Sequence, residues 1–257
     1  MIAGLPRSGS TLLSSILKQN PRFSAAISDP LNEVLISAIH AFSGAGVSTQ
    51  CSEQRRINVL RGIIESYYAD DDREVVFNTS RFWTSHLSLM HLLYPNAKVI
   101  CCVRDIGWIL DSFEKLYRNN PTIYSKNMYG PVSNDFYTDH LYTRADNFMS
   151  EGGATYKSLS SLRTGYFSEH NNKMLFVEYR DLASNPEDTM RRVYQFIDEP
   201  YYKHDFNNVE VSYDEYDEAV QVKGLHKTRK KVQYLERNTI IPPDIWERYK
   251  GLEFWRE

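Results

Sequence analysis

Near its start the chain carries a glycine-rich run that limits what can fold around it. Residues 4–13 read Gly-Leu-Pro-Arg-Ser-Gly-Ser-Thr-Leu-Leu, and apolar residues at helical spacing continue to Leu17. Glycines let backbone N–H groups converge on an anion, and the N-terminus of a following helix adds partial positive charge. The run therefore predicts a strand, a phosphate-binding turn and a helix in succession. The alternative is a Gly-Ser-rich turn that holds no ligand.

The position of the cation distinguishes this loop from the motif that binds nucleoside triphosphates. That motif, G-x-x-x-x-G-K-[ST], places lysine directly after its second glycine. Here Ser10 stands in that position, and the cation is Arg7, three positions upstream. The motif's lysine normally reaches the β and γ phosphates beside Mg²⁺. An arginine before the second glycine suits a shorter anionic tail, a single 5′ group. A P-loop kinase of a nucleoside or metabolite remains the alternative.

Apolar runs alternate with helical periodicities along the rest of the chain. Strands are predicted at 1–4, 23–27, 75–77, 98–103 and 174–177, and helices at 11–19, 31–39, 53–67, 85–93, 108–117, 155–170 and 186–197, the last capped by Asn185. This alternation indicates a parallel sheet with helical crossovers. We expect an α/β fold, a three-layer sandwich around a mostly parallel sheet, in one domain over residues 1–257. Residues 119–150 are either a lid or substrate-side insertion or an ordinary packed excursion.

Composition excludes several classes of protein. The 257 residues carry a net charge of −3, so no global basic field indicates binding to nucleic acid or to an anionic membrane. No apolar run approaches the roughly 18 residues of a membrane span, and the first residues do not resemble a signal peptide. The three cysteines cannot form a disulfide framework and are expected to be buried, reduced thiols. The expected compartment is the cytoplasm.

Two further patterns point to anion binding. Arg104 follows the strongest predicted strand, and Ser112 lies eight residues later in the next helix. At the carboxyl end of a parallel strand, an arginine and a hydroxyl that reach one point form a phosphate clamp. The second pattern is the basic run 223–231, in which Gly224 permits close backbone approach. Each has an ordinary explanation as well: an unrelated arginine and serine, and a solvated charged face.

Taken together, these elements resemble the sulfotransferases that use 3′-phosphoadenosine 5′-phosphosulfate (PAPS). The 5′-phosphosulfate loop of that family is similar to residues 6–11, in the arginine form of tyrosylprotein and many bacterial sulfotransferases. The strand ending in arginine, with serine eight residues on, is similar to Arg104 and Ser112. A Tyr-x-Asp-Leu-x-x-x-Pro segment near the adenine resembles residues 179–186, and a late basic glycine loop resembles residues 223–226. The likeness runs over residues 4–229 in the family's order.

The chain also departs from the cytosolic branch of that family. Those enzymes have lysine in the first loop, a catalytic histidine after the strand that corresponds to 75–77, and a C-terminal dimerisation motif. Here the first loop carries Arg7, the segment 78–81 reads Asn-Thr-Ser-Arg, and no convincing dimerisation motif is found. The resemblance is therefore closer to the bacterial and tyrosylprotein type, with a P-loop-like nucleotide-binding fold.

The resemblance implies in-line transfer of a sulfuryl group from PAPS to an acceptor hydroxyl or amine, releasing adenosine 3′,5′-bisphosphate. Because the leaving group is already a good one, no metal is needed. The acceptor is expected to be a small-molecule or carrier-bound hydroxyl. The donor-binding residues that the resemblance implies are Arg7, Ser8, Gly9, Ser10, Thr11, Leu12, Arg104, Ser112, Tyr179, Lys223, Gly224, Leu225 and His226. A non-catalytic nucleotide-binding protein with the same fold is a further alternative.

The acceptor needs a general base within hydrogen-bond reach. The tyrosylprotein branch has a glutamate after its second strand, and the corresponding stretch here contains Asp29 and Glu33. Asp29 is equally suited to start the next helix, and Glu33 to be a solvated helix carboxylate. His226 and His86 are further candidates. Thr79 and Arg81 follow a strand at the ligand edge of the sheet, where they can position the acceptor or the bridging oxygen.

Overall fold

A computed structural model describes residues 1–44, 46–122, 140–209 and 211–256. Its strands are β1 (Ile2–Gly4), β2 (Phe23–Ala25), β3 (Val75–Phe77), β4 (Val99–Val103) and β5 (Met174–Glu178). The helices are α1 (Ser10–Leu17), α2 (Leu31–Phe42), α3 (Glu53–Tyr67), α4 (Leu87–Leu93), α5 (Ile106–Asn119), α6 (Leu141–Met149), α7 (Ala154–Tyr166), α8 (Tyr179–Ser184), α9 (Pro186–Ile197), α10 (Asp214–Ala219) and α11 (Pro243–Arg248). Every predicted strand and helix has a counterpart among these elements.

The sheet is parallel, as predicted. β4 lies between β1 and β5, and β2 pairs with β3. The chain just after β3 joins the two groups, because Ile2 forms a parallel bridge with Thr79. Backbone hydrogen bonds from Ile2 N to Asn78 O, at 2.8 Å, and from Ser80 N to Ile2 O, at 3.1 Å, hold that bridge. The spatial order is thus β2-β3-β1-β4-β5, with all carboxyl ends at one edge.

Helices cover both faces of the sheet, which gives the predicted three layers. Successive residues of a strand point to opposite faces, and the buried residues of β4 divide accordingly. Cys101 and Val103 belong to a cluster with α2, α4, α5 and α7, whereas Ile100 and Cys102 belong to a cluster with α1 and α9. All five residues of β4 are buried, as expected of a central parallel strand. The structure is therefore an α/β sandwich of the P-loop-like class.

The cysteines agree with the sequence-based expectation only in part. All three are free thiols, and Cys101 and Cys102 are buried in β4, whereas Cys51 is half-buried. Burial raises the pKa of the Cys102 thiol to about 12, because the thiolate would lose its hydration. Cys102 therefore stays a neutral core side chain.

Two local predictions need correction. Asn185 makes no side-chain cap on α9, because it lies between two helices: its N–H bonds to Asp181 O, at 2.8 Å, and ends α8. Its carbonyl accepts from Thr189 N, at 3.1 Å, so the backbone alone opens α9. The helix predicted over 85–93 begins with a 3-10 turn, Trp83–His86, and becomes α-helical only at Leu87.

The predicted insertion at 119–150 falls largely outside the described residues, since 123–139 are not described. Its last part contains α6, whose Phe148 is buried and stacks on Phe113 with ring centroids 4.0 Å apart. At least this end of the stretch therefore packs into the core. Within the described part of the chain, none of the helices has the length and apolar character needed to cross a membrane.

Candidate anion-binding site

One cavity of about 460 Å³ opens at the carboxyl edge of the sheet. It gathers chain segments that follow β1, β2, β3 and β4, together with residues from the C-terminal part of the chain. Among the predicted site residues, its lining includes Arg7, Gly9, Ser10, Thr11, Leu12, Asp29, Glu33, Thr79, Arg81, Arg104, Ser112, Tyr179, Leu225 and His226. Ser8, Lys223 and Gly224 are outside this lining. Positions far apart in sequence thus meet in one hollow.

Residues 4–12, from the last residue of β1 through the turn into the first residues of α1, are called the anion loop below. Gly4 has φ +119°, and a Cβ there would overlap the carbonyl oxygen of Cys102 in the neighbouring strand. Gly9 has φ +96° and precedes the first residue of α1. A Cβ on Gly9 would stand 2.9 Å from the ring of Tyr179. Both positions need glycine, because each combines a positive φ, which residues with a Cβ rarely adopt, with close packing against a neighbouring segment.

Ser8 supports the anion loop from below. It is 1 % exposed, and its hydroxyl bonds to Leu5 O and, at 2.8 Å, to Cys102 O. The side chain of Ser8 is therefore engaged by the scaffold and does not reach the cavity. Ser10 and Thr11, in contrast, are the first residues of α1 and line the cavity, so their N–H groups belong to the helix N-terminus.

Arg7 links the anion loop to two other parts of the cavity. Its Nε donates to Ser112 Oγ, at 3.0 Å, and its Nη1 donates to Leu225 O. Arg104 in turn donates from Nη1 to Arg7 O, at 3.2 Å. Burial, together with the positive charges of Arg104 and Arg81, lowers the pKa of the Arg7 guanidinium to about 10. Arg7 stays protonated at neutral pH, but in a site with excess positive charge.

Arg104 lies at the end of β4, held between aromatic rings. Its guanidinium is 4.4 Å from the ring centroid of Tyr179 and 5.9 Å from that of Trp108. Burial lowers its pKa, and a second arginine, Arg237, adds to the shift. Tyr179 also contacts Gly9, so one tyrosine ring lies against both the anion loop and Arg104.

Three guanidiniums in this cavity lack an acidic partner. Within the described residues, no ion pair connects Arg7, Arg81 or Arg104 to a carboxylate. The pKa of Arg81 is lowered because surrounding protein replaces part of its water, even though its side chain remains exposed. Grouped like charges without a counterion are unfavourable unless an anion joins them. The arrangement is therefore suited to a multiply charged anion.

Two candidate bases line the cavity in different ways. Asp29 Oδ1 accepts a hydrogen bond from Leu31 N, at 2.8 Å, and therefore holds the start of α2. Its Oδ2 lies 3.5 Å from the hydroxyl of Tyr68. Glu33, one turn later, is exposed and has no hydrogen bond or ion pair to another described residue. Asp29 is engaged by the scaffold, whereas the Glu33 carboxylate is available.

The histidines differ as well. His226 Nδ1 lies 2.7 Å from Asp217 Oδ1, and the backbone N–H of His226 bonds to both oxygens of the same carboxylate. Burial lowers the pKa of His226, opposed by Asp217, so the ring is neutral at pH 7 with Nδ1 donating to Asp217. His86 lies outside the cavity lining, and its Nδ1 faces Asn32 at 3.1 Å.

Of the basic run, only part reaches the cavity. The carbonyl oxygen of Lys223 accepts a hydrogen bond from Asn120 Nδ2, at 3.3 Å. Lys223 also lines a separate cavity with Asp214 and Glu218. Gly224 has φ +82° and no atom within 4 Å of where a Cβ would stand. Lys227, Arg229 and Lys231 of the same run line the cavity, and so do Tyr216 and Arg237, which no pattern in the sequence singled out.

Thr79 and Arg81 lie where their place after β3 predicts. Thr79 Oγ1 donates to Ala26 O, at 2.7 Å, and so connects the ends of β2 and β3. Arg81 lies on the same wall of the cavity, next to Phe82. Across the described ranges, no group of three or more His, Cys, Asp or Glu side chains has the spacing of a metal site.

Comparison with known proteins gives fold neighbours of low identity. Sulfotransferase STF9 from Mycobacterium avium is 14% identical, with a TM-score of 0.45, over 77% of this chain and 63% of its own. A sulfotransferase from Alicyclobacillus acidocaldarius is 16% identical, with a TM-score of 0.49, over 85% of this chain and 87% of its own. The sulfotransferase domain of the Synechococcus PCC 7002 olefin synthase is 17% identical, with a TM-score of 0.48, over 100% of this chain and 93% of its own. No curated protein matches the chain.

A family model gives the assignment that these distant neighbours cannot. The model described as "Sulfotransferase family" matches residues 1–203, which include the anion loop, Arg104 with Ser112, and Tyr179. The matched part covers well over half of the 257 residues. The chain belongs to the sulfotransferase family.

Proposed function

We propose that this protein transfers a sulfuryl group from PAPS to an acceptor hydroxyl or amine by in-line displacement. The observation that carries the proposal is a group of three guanidiniums, around a glycine loop at a helix N-terminus, that form no ion pair with an acidic side chain among the described residues. PAPS is a polyanion with charge at both its 5′ and 3′ ends, which suits a site of this kind. We extend the proposal to residues 1–257 as one sulfotransferase domain.

The residues present fit such a donor. Arg7 and the backbone N–H groups of residues 8–11 would bind the 5′-phosphosulfate, because they converge on the start of α1. Arg104 and Ser112 would bind the 3′-phosphate, and Tyr179 would border the nucleotide. Since Arg7 Nε already bonds to Ser112 Oγ at 3.0 Å, the two anion subsites adjoin in this proposal. Leu225 and His226 would cover them, with Lys223 and Gly224 shaping the turn.

The chemistry asks for charge stabilisation and a proton acceptor. As the bond between sulfur and the bridging oxygen breaks, negative charge grows on the leaving phosphate, and Arg7 with the loop N–H groups would stabilise it. The acceptor oxygen forms the new bond to sulfur, and its proton passes to a carboxylate. We assign that role to Glu33 rather than to Asp29, since Asp29 Oδ1 is held by Leu31 N. Thr79 and Arg81 would orient the acceptor.

The acceptor belongs to the proposal only as a class. A small-molecule or carrier-bound hydroxyl can enter a cavity that is open at the sheet edge and lined by both charged and aromatic side chains. The alternative that the protein is a P-loop kinase has less support, because Ser10 stands in place of the lysine that would reach the β and γ phosphates. A non-catalytic nucleotide-binding protein has less support for a different reason: Glu33 supplies an available carboxylate within the same cavity.

Calorimetry with adenosine 3′,5′-bisphosphate and with Mg-ATP tests the proposal. We expect the bisphosphate to bind and Mg-ATP to bind at least about tenfold more weakly, a difference of about 1.4 kcal/mol. Binding of Mg-ATP alone would sink the sulfotransferase proposal in favour of the kinase. Transfer of radiolabelled sulfate from PAPS to a library of hydroxyl compounds then separates an enzyme from a binding protein, since the latter would bind without transfer.

A further inference from the structure

A chain of hydrogen bonds runs behind the cavity wall on which the acceptor is proposed to bind. Asn78 directly follows β3 and is 5% exposed, and its Nδ2 donates to the hydroxyl of Tyr68, at 2.6 Å. The indole of Trp83, which is 1% exposed, donates from Nε1 to Asn78 Oδ1, at 2.8 Å. The Tyr68 hydroxyl lies 3.5 Å from Oδ2 of Asp29, which lines the cavity. The chain thus leads from the core to one carboxylate at the cavity wall.

The donors and acceptors of this chain allow one direction. An indole N–H can only donate, so Asn78 Oδ1 accepts from Trp83 and Asn78 Nδ2 donates to Tyr68. The single O–H of Tyr68 therefore remains for Asp29 Oδ2, since a carboxylate oxygen can only accept. Burial and the charge of Asp29 raise the pKa of Tyr68, so the hydroxyl keeps its proton. This last link is the longest, and hydrogen bonds in catalytic sites often shorten when the substrate binds.

Asp29 connects the chain to the start of α2. Its Oδ1 accepts from the N–H of Leu31, the first residue of the helix, at 2.8 Å. The two carboxylate oxygens of Asp29 thus face different partners, Tyr68 on one side and the helix backbone on the other. Glu33 lies in the first turn of the same helix, and it is exposed and lines the cavity. The position of Glu33 therefore depends on where Asp29 holds the helix.

A second contact closes the chain into a ring. Asn32, which is 3% exposed, lies in the same first turn of α2, and its Nδ2 is 3.1 Å from His86 Nδ1. Burial lowers the pKa of His86, so its imidazole is neutral and Nδ1 accepts from the amide. His86 ends the 3-10 turn that begins at Trp83. Two paths, one through Tyr68 and one through Asn32, therefore tie the start of α2 to a single turn.

We propose that Tyr68 is a positioning residue, which fixes the start of α2 through Asp29 and so holds the Glu33 carboxylate where the acceptor gives up its proton. The inference rests on the proposed function, because it takes Glu33 as the proton acceptor. A general base must lie within hydrogen-bond reach of the proton that it removes, and a displacement of about 1 Å can cost about 100-fold in rate. Tyr68 is outside the cavity lining, so it acts on the reaction through Asp29.

The test compares two tyrosines that each accept a hydrogen bond from a buried asparagine. Tyr68→Phe leaves Asn78 Nδ2 without its acceptor, and Tyr194→Phe does the same to Asn20 Nδ2, which is 3.1 Å from the Tyr194 hydroxyl. Tyr194 packs with α1 and α9, outside the cavity lining. We expect kcat with PAPS to fall about 10-fold in Tyr68→Phe and less than about twofold in Tyr194→Phe. Calorimetric affinity for adenosine 3′,5′-bisphosphate should change less than about twofold in both.

A second comparison tests whether Tyr68 acts through Asp29. In the Asp29→Asn background, Tyr68→Phe should change kcat less than about twofold, because substitutions that act through one group are not additive. Tyr67 also faces Asp29, since burial and the charge of Asp29 raise the pKa of its hydroxyl, but it is 46% exposed and is not part of the ring. Tyr67→Phe should therefore keep a kcat close to that of wild type. Independent losses in the double variant, or an equal loss in Tyr67→Phe, would overturn the inference.

His86→Leu covers the case in which Tyr68→Phe does not fold. It breaks the ring at its other path, by removing the acceptor of Asn32, and should show the same fall in kcat at unchanged bisphosphate affinity. If the folded variants lose no more kcat than Tyr194→Phe, or lose bisphosphate affinity in parallel, the ring is only structural and the inference is wrong, while the proposed function stands. If wild type transfers no sulfuryl group, or if Glu33→Gln keeps the wild-type kcat, it is the proposed function that fails, and the inference is overturned with it.

Discussion

The anion loop and the C-terminal segment, residues 201–241, face the same cavity but are built by different rules. The loop is short, and its shape follows from residues within it: Gly4, Gly9 and the first turn of α1. Among the described residues of the C-terminal segment, the only helix or strand is α10. Its position depends on contacts to distant elements, such as Leu225 O with Arg7 and Arg237 with Asp111. Local rules fix the first region, and long-range contacts fix the second.

This difference explains why the anion loop could be predicted more fully than the C-terminal segment, of which only the basic run 223–231 was singled out. A glycine loop before a helix is a pattern that physical chemistry restricts to few sequences, and it lies within the part matched by the family model. The C-terminal segment after residue 203 lies beyond that match. Its basic residues carry little positional information, since a lysine or arginine in irregular chain can face solvent or a site.

The first test of the difference between the two regions replaces one glycine in each. Gly4→Ala should lower the free energy of unfolding by at least about 3 kcal/mol, because it adds a clash with Cys102 O to a strained backbone conformation. Gly224→Ala, also at positive φ but with open space around it, should cost only about 1 kcal/mol. Urea unfolding of both variants measures the difference. Equal losses would mean that the C-terminal segment is packed as tightly as the anion loop.

An effect of similar size is expected at the cation of the loop. In the proposed reaction, Arg7→Ala should reduce transfer about 10³-fold, because the charge on the leaving phosphate would lose its main stabilising group. The rate constant kcat with PAPS is the quantity to measure, and circular dichroism checks the fold. Transfer near the wild-type rate in this variant would show that Arg7 does not stabilise the leaving group.

A third experiment asks which region supplies the base. Glu33→Gln should lower kcat about 100-fold, as expected for loss of a positioned proton acceptor. Asp29→Asn should lower it less, since an amide oxygen can still accept from Leu31 N. His226→Gln is expected to act mainly on donor affinity, because Nδ1 of His226 is engaged by Asp217. A larger loss of kcat in His226→Gln than in Glu33→Gln would indicate that His226, in the C-terminal segment, is the general base.

The smallest expected effect concerns pH. His204, in the C-terminal segment, is buried among aromatic rings, and burial lowers its pKa from 6.5 to about 4. Between those values the unfolded chain binds the proton and the folded chain does not, so stability should fall as pH falls from about 6.5 towards 4. The anion loop contains no histidine and should not contribute.

Chemical denaturation across this pH range checks the effect. His204→Phe should show a weaker dependence, although some remains, because burial also lowers the pKa of His86 and His226. An unchanged slope in the variant would exclude His204 as the group responsible.

Much of the fold could be predicted from the sequence. Apolar patterns located all five strands of the described residues, and the unbroken apolar run of β4 correctly indicated a central parallel strand. Element ends were less predictable, because the bond from Asn185 N to Asp181 O depends on a neighbouring helix. The extent of the domain and the role of 119–150 stay predictions.

The candidate site divides in the same way. Arg7, Arg104 and Ser112 could be proposed because each occupies a defined position relative to a predicted strand. Arg237 could not, because its place in the cavity depends on Asp111, 126 positions earlier in the sequence. No spacing rule connects two residues at that separation.

What the sequence alone determined is the nature of the anion loop: its glycines, its displaced cation and the helix behind it are local consequences of ten consecutive residues. Only the tertiary structure decided that Arg7 bonds to Ser112, that Asp29 is held by Leu31 N while Glu33 is available, and that Arg237 shares Trp108 with Arg104. The physical reason is the distance in sequence between the residues that interact. Backbone conformation depends on neighbouring residues, whereas the pairing of charges depends on which distant segments the folded sheet brings to one edge.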